Sequence, residues 1–164
     1  VHAEIVTTLT AGEGANLSTI QIDFSNGNGY VIEYRWDGAA TGFSALVSLQ
    51  TLLPEFTLVY EDTAFGPLVN GLGVLGDYEF GTGDLWPEVE NYWHYWLKDS
   101  GDWSWAPIGA GARQLFNGSF DGWVFGSPAA PQPIPSPAGV VVGVLVMGGL
   151  RRRRNTQAFH GVTA

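Results

Sequence analysis

Asn16-Leu-Ser-Thr-Ile-Gln-Ile-Asp-Phe-Ser-Asn-Gly-Asn-Gly-Tyr-Val-Ile-Glu-Tyr-Arg-Trp36 is the stretch that decides the fold class. Leu17, Thr19-Ile20, Ile22 and Phe24 give residues 16–24 a strand-like pattern. Asn26-Gly27-Asn28-Gly29 then supplies residue types that accept the positive φ of a tight turn. Tyr30, Ile32, Tyr34 and Trp36 fall on one face of the return strand, because side chains alternate with period two. Asp37-Gly38 closes it. A β-hairpin is therefore expected near the start of the chain.

Outward from this hairpin, Thr41 is placed to N-cap a helix over residues 42–53, with Phe43, Leu46, Val47, Leu49 and Leu53 on one side. Pro54 ends it. Short strands are expected at 56–60, 92–98, 104–107 and 123–125, with Asp99-Ser-Gly-Asp102 as a second hairpin turn. The glycine-rich residues 66–83 read as a long loop or irregular hairpin. The order predicts an α+β, mostly β class: a β-grasp-like sheet with one helix, filling residues 4–127. A proline-rich linker over 128–137 follows.

Thr41-Gly-Phe-Ser-Ala-Leu-Val-Ser-Leu49, Phe65-Gly-Pro-Leu-Val-Asn-Gly71, Tyr92-Trp-His-Tyr-Trp-Leu-Lys98 and the closing residues 109–123 resemble, in order, the transcobalamin-like C-terminal β-domain. The resemblance implies this fold. As one alternative it also implies a corrinoid or similar flat cofactor touching Tyr92, Trp93, Trp96 and Trp105.

The far end carries a different signal. Pro131-Gln-Pro-Ile-Pro-Ser-Pro137 precedes an uncharged run from Ala138 to Leu150, and Arg151, Arg152, Arg153 and Arg154 follow. Thirteen residues make about 20 Å of helix, short against a bilayer core of roughly 30 Å. Snorkelling arginines and Ile134 help to close that gap. The arginines would be held cytoplasmic, leaving the preceding domain across the membrane. Pro135-Ser136-Pro137, the apolar run and the arginines resemble a PEP-CTERM sorting signal over residues 134–154. Here Ser136 replaces the acidic middle residue, and residues 155–164, read as a disordered tail, trail the arginines. The resemblance implies export, transient anchoring in the membrane and an exosortase-type processing enzyme acting near Pro135, Ser136 and Pro137. Val1-His2-Ala3 fits the remnant of a secretory cleavage site.

Charge divides the chain. Residues 1–137 hold all 16 Asp and Glu against Arg35, Lys98 and Arg113, a net −13, whereas the four arginines of the tail carry +4. A domain this acidic repels nucleic acid and anionic headgroups. Cysteine is absent, so neither disulfides nor a thiol nucleophile can contribute.

Candidate binding residues concentrate in two strands: Tyr92, Trp93, Tyr95 and Trp96, then Trp103 and Trp105. Alternation sets Trp93 and Tyr95 on one face and Tyr92, His94 and Trp96 on the other. The set reads either as core or as an exposed platform for a sugar ring or flat cofactor, with Trp103 and Trp105 outermost beside the polar turn. His94 has no companion histidine in the domain, so it supports no multi-histidine metal site. Glu88 and Glu90 imitate a glycosidase pair, but nothing marks either as acid or nucleophile. Asp23 to Gly29 lacks the bidentate Glu of a calcium loop, Tyr34 standing there instead. Asp77, Glu79 and Asp84 read as a solvated loop rather than a weak calcium site. Gly71-Leu-Gly73-Val-Leu-Gly76 has nucleotide-loop spacing without a βαβ setting. The expectation is an exported envelope or extracellular-matrix protein with one non-enzymatic binding domain and no metal or catalytic residue. Its partners are the membrane, a processing enzyme, and polysaccharide or a flat small molecule. Cobalamin enters only under the alternative, and a glycan-binding or glycan-acting protein is a weaker one.

Overall fold

The computed structural model describes residues 4–84 and 90–135. The readings placed on residues 1–3, on Glu88, on Ser136 and Pro137, on the apolar run 138–150 and on the arginines 151–154 lie outside the described residues. Among the described residues no helix is long and apolar enough to cross a membrane.

The hairpin forms as β2 (Asn16–Asp23) and β3 (Asn28–Trp36), with Ile20 opposite Ile32 and Ile22 opposite Tyr30. Its turn is tighter in demand than the sequence suggests. Gly27 alone has positive φ (96°), and Asn28 and Gly29 already belong to the strand. A strand not foreseen, β1 (Glu4–Gly12), lies parallel to β3.

Helix α1 (Gly42–Leu52) starts where Thr41 predicts. The Thr41 hydroxyl accepts from Ser44 N–H (3.0 Å), and Ser44 Oγ accepts from Thr41 N–H (2.8 Å). Ala45, Leu46 and Leu49 are buried, whereas Val47, expected inside, is 40% exposed. The buried stripe is narrower than the sequence reading because Ala45, not Val47, meets the core.

Residues read as a long loop fold instead. After β4 (Phe56–Thr63), β5 (Gly66–Val74) and β6 (Asp77–Phe80) complete a separate three-stranded antiparallel sheet. Glycine suits β5 because Tyr78, Phe80 and Val59 crowd the places where Cβ atoms of Gly71 and Gly73 would stand. The nucleotide-like Gly71–Gly76 spacing is thus strand and hairpin turn, with Leu75 (φ 52°) and Gly76 (φ 96°) at its tip.

The remaining strands are β7 (Trp93–Lys98), β8 (Ser104–Trp105, shorter than expected) and β9 (Phe120–Phe125). They extend the first sheet to six strands in the order β1-β3-β2-β9-β7-β8. β9 runs parallel to β2 and antiparallel to β7. The class is α+β, mostly β, in two sheets with one helix among the described residues. One core joins Ile20, Ile22 and Ile32 to Leu46 and Leu49 of the helix and to Leu58, Val69 and Leu72 of the second sheet. Each such aliphatic burial contributes about 1.5–3 kcal/mol before the entropy of ordering is charged against it.

Residues 128–135 do not behave as a free linker: Pro131 and Gln132 cover the opposite face of the six-stranded sheet over β2 and β9. Gln132 N–H donates to Asp23 (2.7 Å), and Gln21 Nε2 donates to the Gln132 carbonyl (2.8 Å). Pro131 is buried over Gly122, where an added Cβ would stand 2.5 Å from the proline ring. This strap explains why Gln21 and Asp23, both buried, alternate with isoleucines: each strand face is covered, one by core and one by a polar clasp.

Candidate ligand groove

Period-two alternation places the β7 side chains as expected. Trp93 and Tyr95 face the main core; Trp93 packs edge-on to Phe24 (5.5 Å) and Tyr95 stacks on Trp123 (4.4 Å). His94 and Trp96 take the other face and are also buried. Trp105, paired opposite Trp96 across β7 and β8, remains half exposed. Its ring lies 4.6 Å from Trp96 and 5.1 Å from His94, and His94 in turn lies 4.2 Å from Tyr92. Two buried rings thus brace one solvent-facing ring, which fixes its plane before any ligand arrives.

Beside this column runs a groove of about 390 Å³, within the range that holds small molecules. Tyr92, Trp93, His94 and Trp105 form one wall; Pro67–Val69 of β5 and residues 106–110 form the other. Of the five aromatic residues singled out from sequence, the structure brings Tyr92, Trp93 and Trp105 together here. Trp96 is a buried support rather than a contact. Trp103 does not line this groove; it is half-buried over Gly122. The opposite wall escaped the sequence reading because its strand was taken for loop; Pro67 and Pro107, flanking aromatic segments, were its visible marks.

His94 is the polar group of interest in this groove. It is 1% exposed, and among the described residues neither ring nitrogen has a hydrogen-bond partner. Glu90 Oε2 stands 3.6 Å from Nε2, too far for a bond. Burial lowers the His94 pKa, with Glu90 pulling the other way. The unfolded chain therefore takes up the proton first, near pH 6.5, and stability falls as the pH drops below that value. His94→Phe keeps a ring against Tyr92 and Trp105. It should remove this pH dependence between about pH 5 and 6.5, read from urea midpoints at both pH values, at little cost in stability at pH 7.5.

Beneath the groove lies a buried ionic network that the sequence reading missed. Asp121 accepts from the Tyr95 hydroxyl and from Arg113 Nε (3.3 Å), and Arg113 forks onto Asp99, with Nη1 at 2.9 Å. Burial raises the Asp121 pKa against the pull of Tyr95 and Arg113. It drives the Tyr95 hydroxyl far upward too. Burial opposes the Arg113 charge, but Asp99 and Asp121 outweigh it and hold that pKa up. The helix start must pass close by, and Gly42 allows it: a Cβ there would stand 2.6 Å from Tyr95 Oη and 2.7 Å from Asp121 Oδ2. The network anchors Gly42 and Phe43 N–H through the Arg113 and Ala110 carbonyls (2.9 and 3.0 Å), fixing the loop that walls the groove. Arg113, one of only three cations in residues 1–137 among so many carboxylates, was the available signal.

Asp77, Glu79 and Asp84, read from sequence as a solvated loop, are engaged locally. Asp77 accepts from Asn26, Asn28 and Tyr30 (2.7–2.9 Å), which lowers its pKa. It ties β6 to the β2–β3 turn, so it is no solvated loop residue. Glu79 takes Ser25, and Asp84 takes Thr82. No group of three or more His, Asp or Glu suited to a metal ion occurs among the described residues. Comparison with family models, curated proteins and solved structures gives no match to this chain.

Proposed function

We propose that this chain is an exported envelope or extracellular-matrix protein with one non-enzymatic binding domain, and that the groove at Trp105 receives a neutral glycan segment. The carrying observation is the half-exposed Trp105 ring, braced by Trp96 and His94 at the mouth of a 390 Å³ groove. A flat, preset aromatic plane offers contact area to the C–H face of a sugar at low entropic cost. The net −13 of residues 1–137 selects against anionic polysaccharides. On this reading Pro135, Ser136 and Pro137, the apolar run 138–150 and Arg151 to Arg154 form a PEP-CTERM-type signal for delivery and exosortase-type processing.

A second reading is favoured by strand order. Omitting β1 and the separate sheet leaves hairpin, helix and a last strand parallel to the first, with order β3-β2-β9-β7-β8. That is a β-grasp order, and it supports a transcobalamin-like domain in which the same groove takes one edge of a corrinoid or similar flat molecule.

Titrating the full chain with cellohexaose and, separately, with cyanocobalamin while following tryptophan emission separates the two. Saturable quenching by the sugar, weakened at least about ten-fold by Trp105→Ala, is expected. Quenching by cobalamin alone would transfer the groove to the second reading. No response to either at millimolar sugar and tens of micromolar cobalamin would sink both.

A further inference from the structure

A second groove, on the strap side of the molecule, has no part in the reading above. Trp103 and Phe120 meet edge to face at 6.4 Å, and Lys98 Nζ stands 5.9 Å from each ring. Pro131, Pro133, Ile134 and Pro135 of the strap close a cavity of about 480 Å³ against them, with Asp102 at its edge. Lys98 is one of three cations in residues 1–137, and Arg113 is consumed in the buried network. Trp, Lys and an exposed Ile134 at one place is the composition of a membrane–water interface.

Position adds an independent argument. Gln132 is clasped to Asp23 and Gln21, so the chain leaves the domain at this groove. From Pro135 to Ala138 an extended chain reaches at most about 11 Å. The headgroup layer on one side of a bilayer is roughly 5–8 Å deep. If 138–150 enters the hydrocarbon, no tether remains to hold the domain clear of the surface. The short apolar run sharpens this, because a span under 30 Å draws flanking apolar groups toward the interface.

We infer that the face bearing Lys98, Trp103, Phe120 and Ile134 rests on the lipid headgroups while the chain is anchored. The inference rests on residues 138–150 being the membrane segment. It is tested with the full chain reconstituted into phosphatidylcholine vesicles containing brominated acyl chains near the headgroup. Tryptophan quenching by bromolipid should roughly halve in Trp103→Phe. Ile134→Asn, with every tryptophan in place, should reduce quenching in the same direction. Chain that stays with the vesicles through carbonate extraction yet shows no change in either Trp103→Phe or Ile134→Asn overturns the docked face alone. Chain released by carbonate overturns the anchor and the inference together.

Discussion

Asp121→Ala is expected to lower the stability of the domain by about 3–5 kcal/mol, because it strands a buried guanidinium. Arg113 is 6% exposed and donates to Asp121 through Nε; its remaining partner, Asp99, lies on a partly exposed turn. Removing Asp121 also orphans the Tyr95 hydroxyl beneath the helix start, at a point where Gly42 leaves little room for compensating water. Urea unfolding followed by far-UV signal should show the midpoint fall with an unchanged slope. Pairing Asp121→Leu with Arg113→Met should restore much of the loss, since an apolar pair leaves no charge uncompensated. If Asp121→Ala costs under about 1 kcal/mol, the network does not hold the groove wall as described. The pH profile carries a sign of its own. Asp23 and Asp121 are held above the ordinary 3.8 by burial, so the folded state retains protons that the unfolded chain has lost. Above pH 3.8 their contribution to stability falls as the pH rises toward the folded pKa values. Asp77 acts oppositely: its stabilisation is present above 3.8 and is lost as the pH falls toward its lower folded value.

Ending the chain after Ser127 is expected to cost about 2–4 kcal/mol, although composition alone marks residues 128–137 as a spacer. The truncation removes both Gln132 bonds to Asp23, one of the acceptors of Gln21 Nε2 (the Gln132 carbonyl), and the Pro131 ring over Gly122. It also uncovers Trp103, which packs over the same glycine. A carboxylate held at 7% exposure would then face water without its clasp. Asp23→Ala in the full chain should reproduce part of the loss and open residues 128–135 to proteolysis in the native state. Equal midpoints for the truncated and full chains would show the strap to be decoration.

Local chemistry made part of this fold legible. The hairpin follows from alternation around an Asn-Gly turn, and the helix from Thr41 and Pro54. The two faces of β7 follow from period two alone. What escaped was non-local. Parallel pairing of β1 with β3 and of β9 with β2 leaves no turn in the sequence to announce it. The strap depends on Gln132 meeting Asp23 across 109 residues, so its prolines read as spacer. β5 carries Gly66, Gly71 and Gly73, which lower strand propensity, yet aromatic neighbours fill the space that Gly71 and Gly73 leave. At the groove, alternation named Tyr92, Trp93 and Trp105, but only tertiary packing decides that Trp96 and His94 serve as braces and that Trp103 faces the strap.

Binding in the groove requires Trp105 and Trp93 to meet the ligand together. Indole N–H signals report each tryptophan separately, and Trp93 Nε1 is buried without a partner among the described residues. Two-dimensional 15N spectra of the full chain titrated with cellohexaose, and with cyanocobalamin, should shift the Trp105 and Trp93 indole signals. Those of Trp36 and Trp103 should stay in place. Unmoved Trp105 and Trp93 signals at saturating ligand, or movement confined to Trp103, would contradict the groove as the binding site.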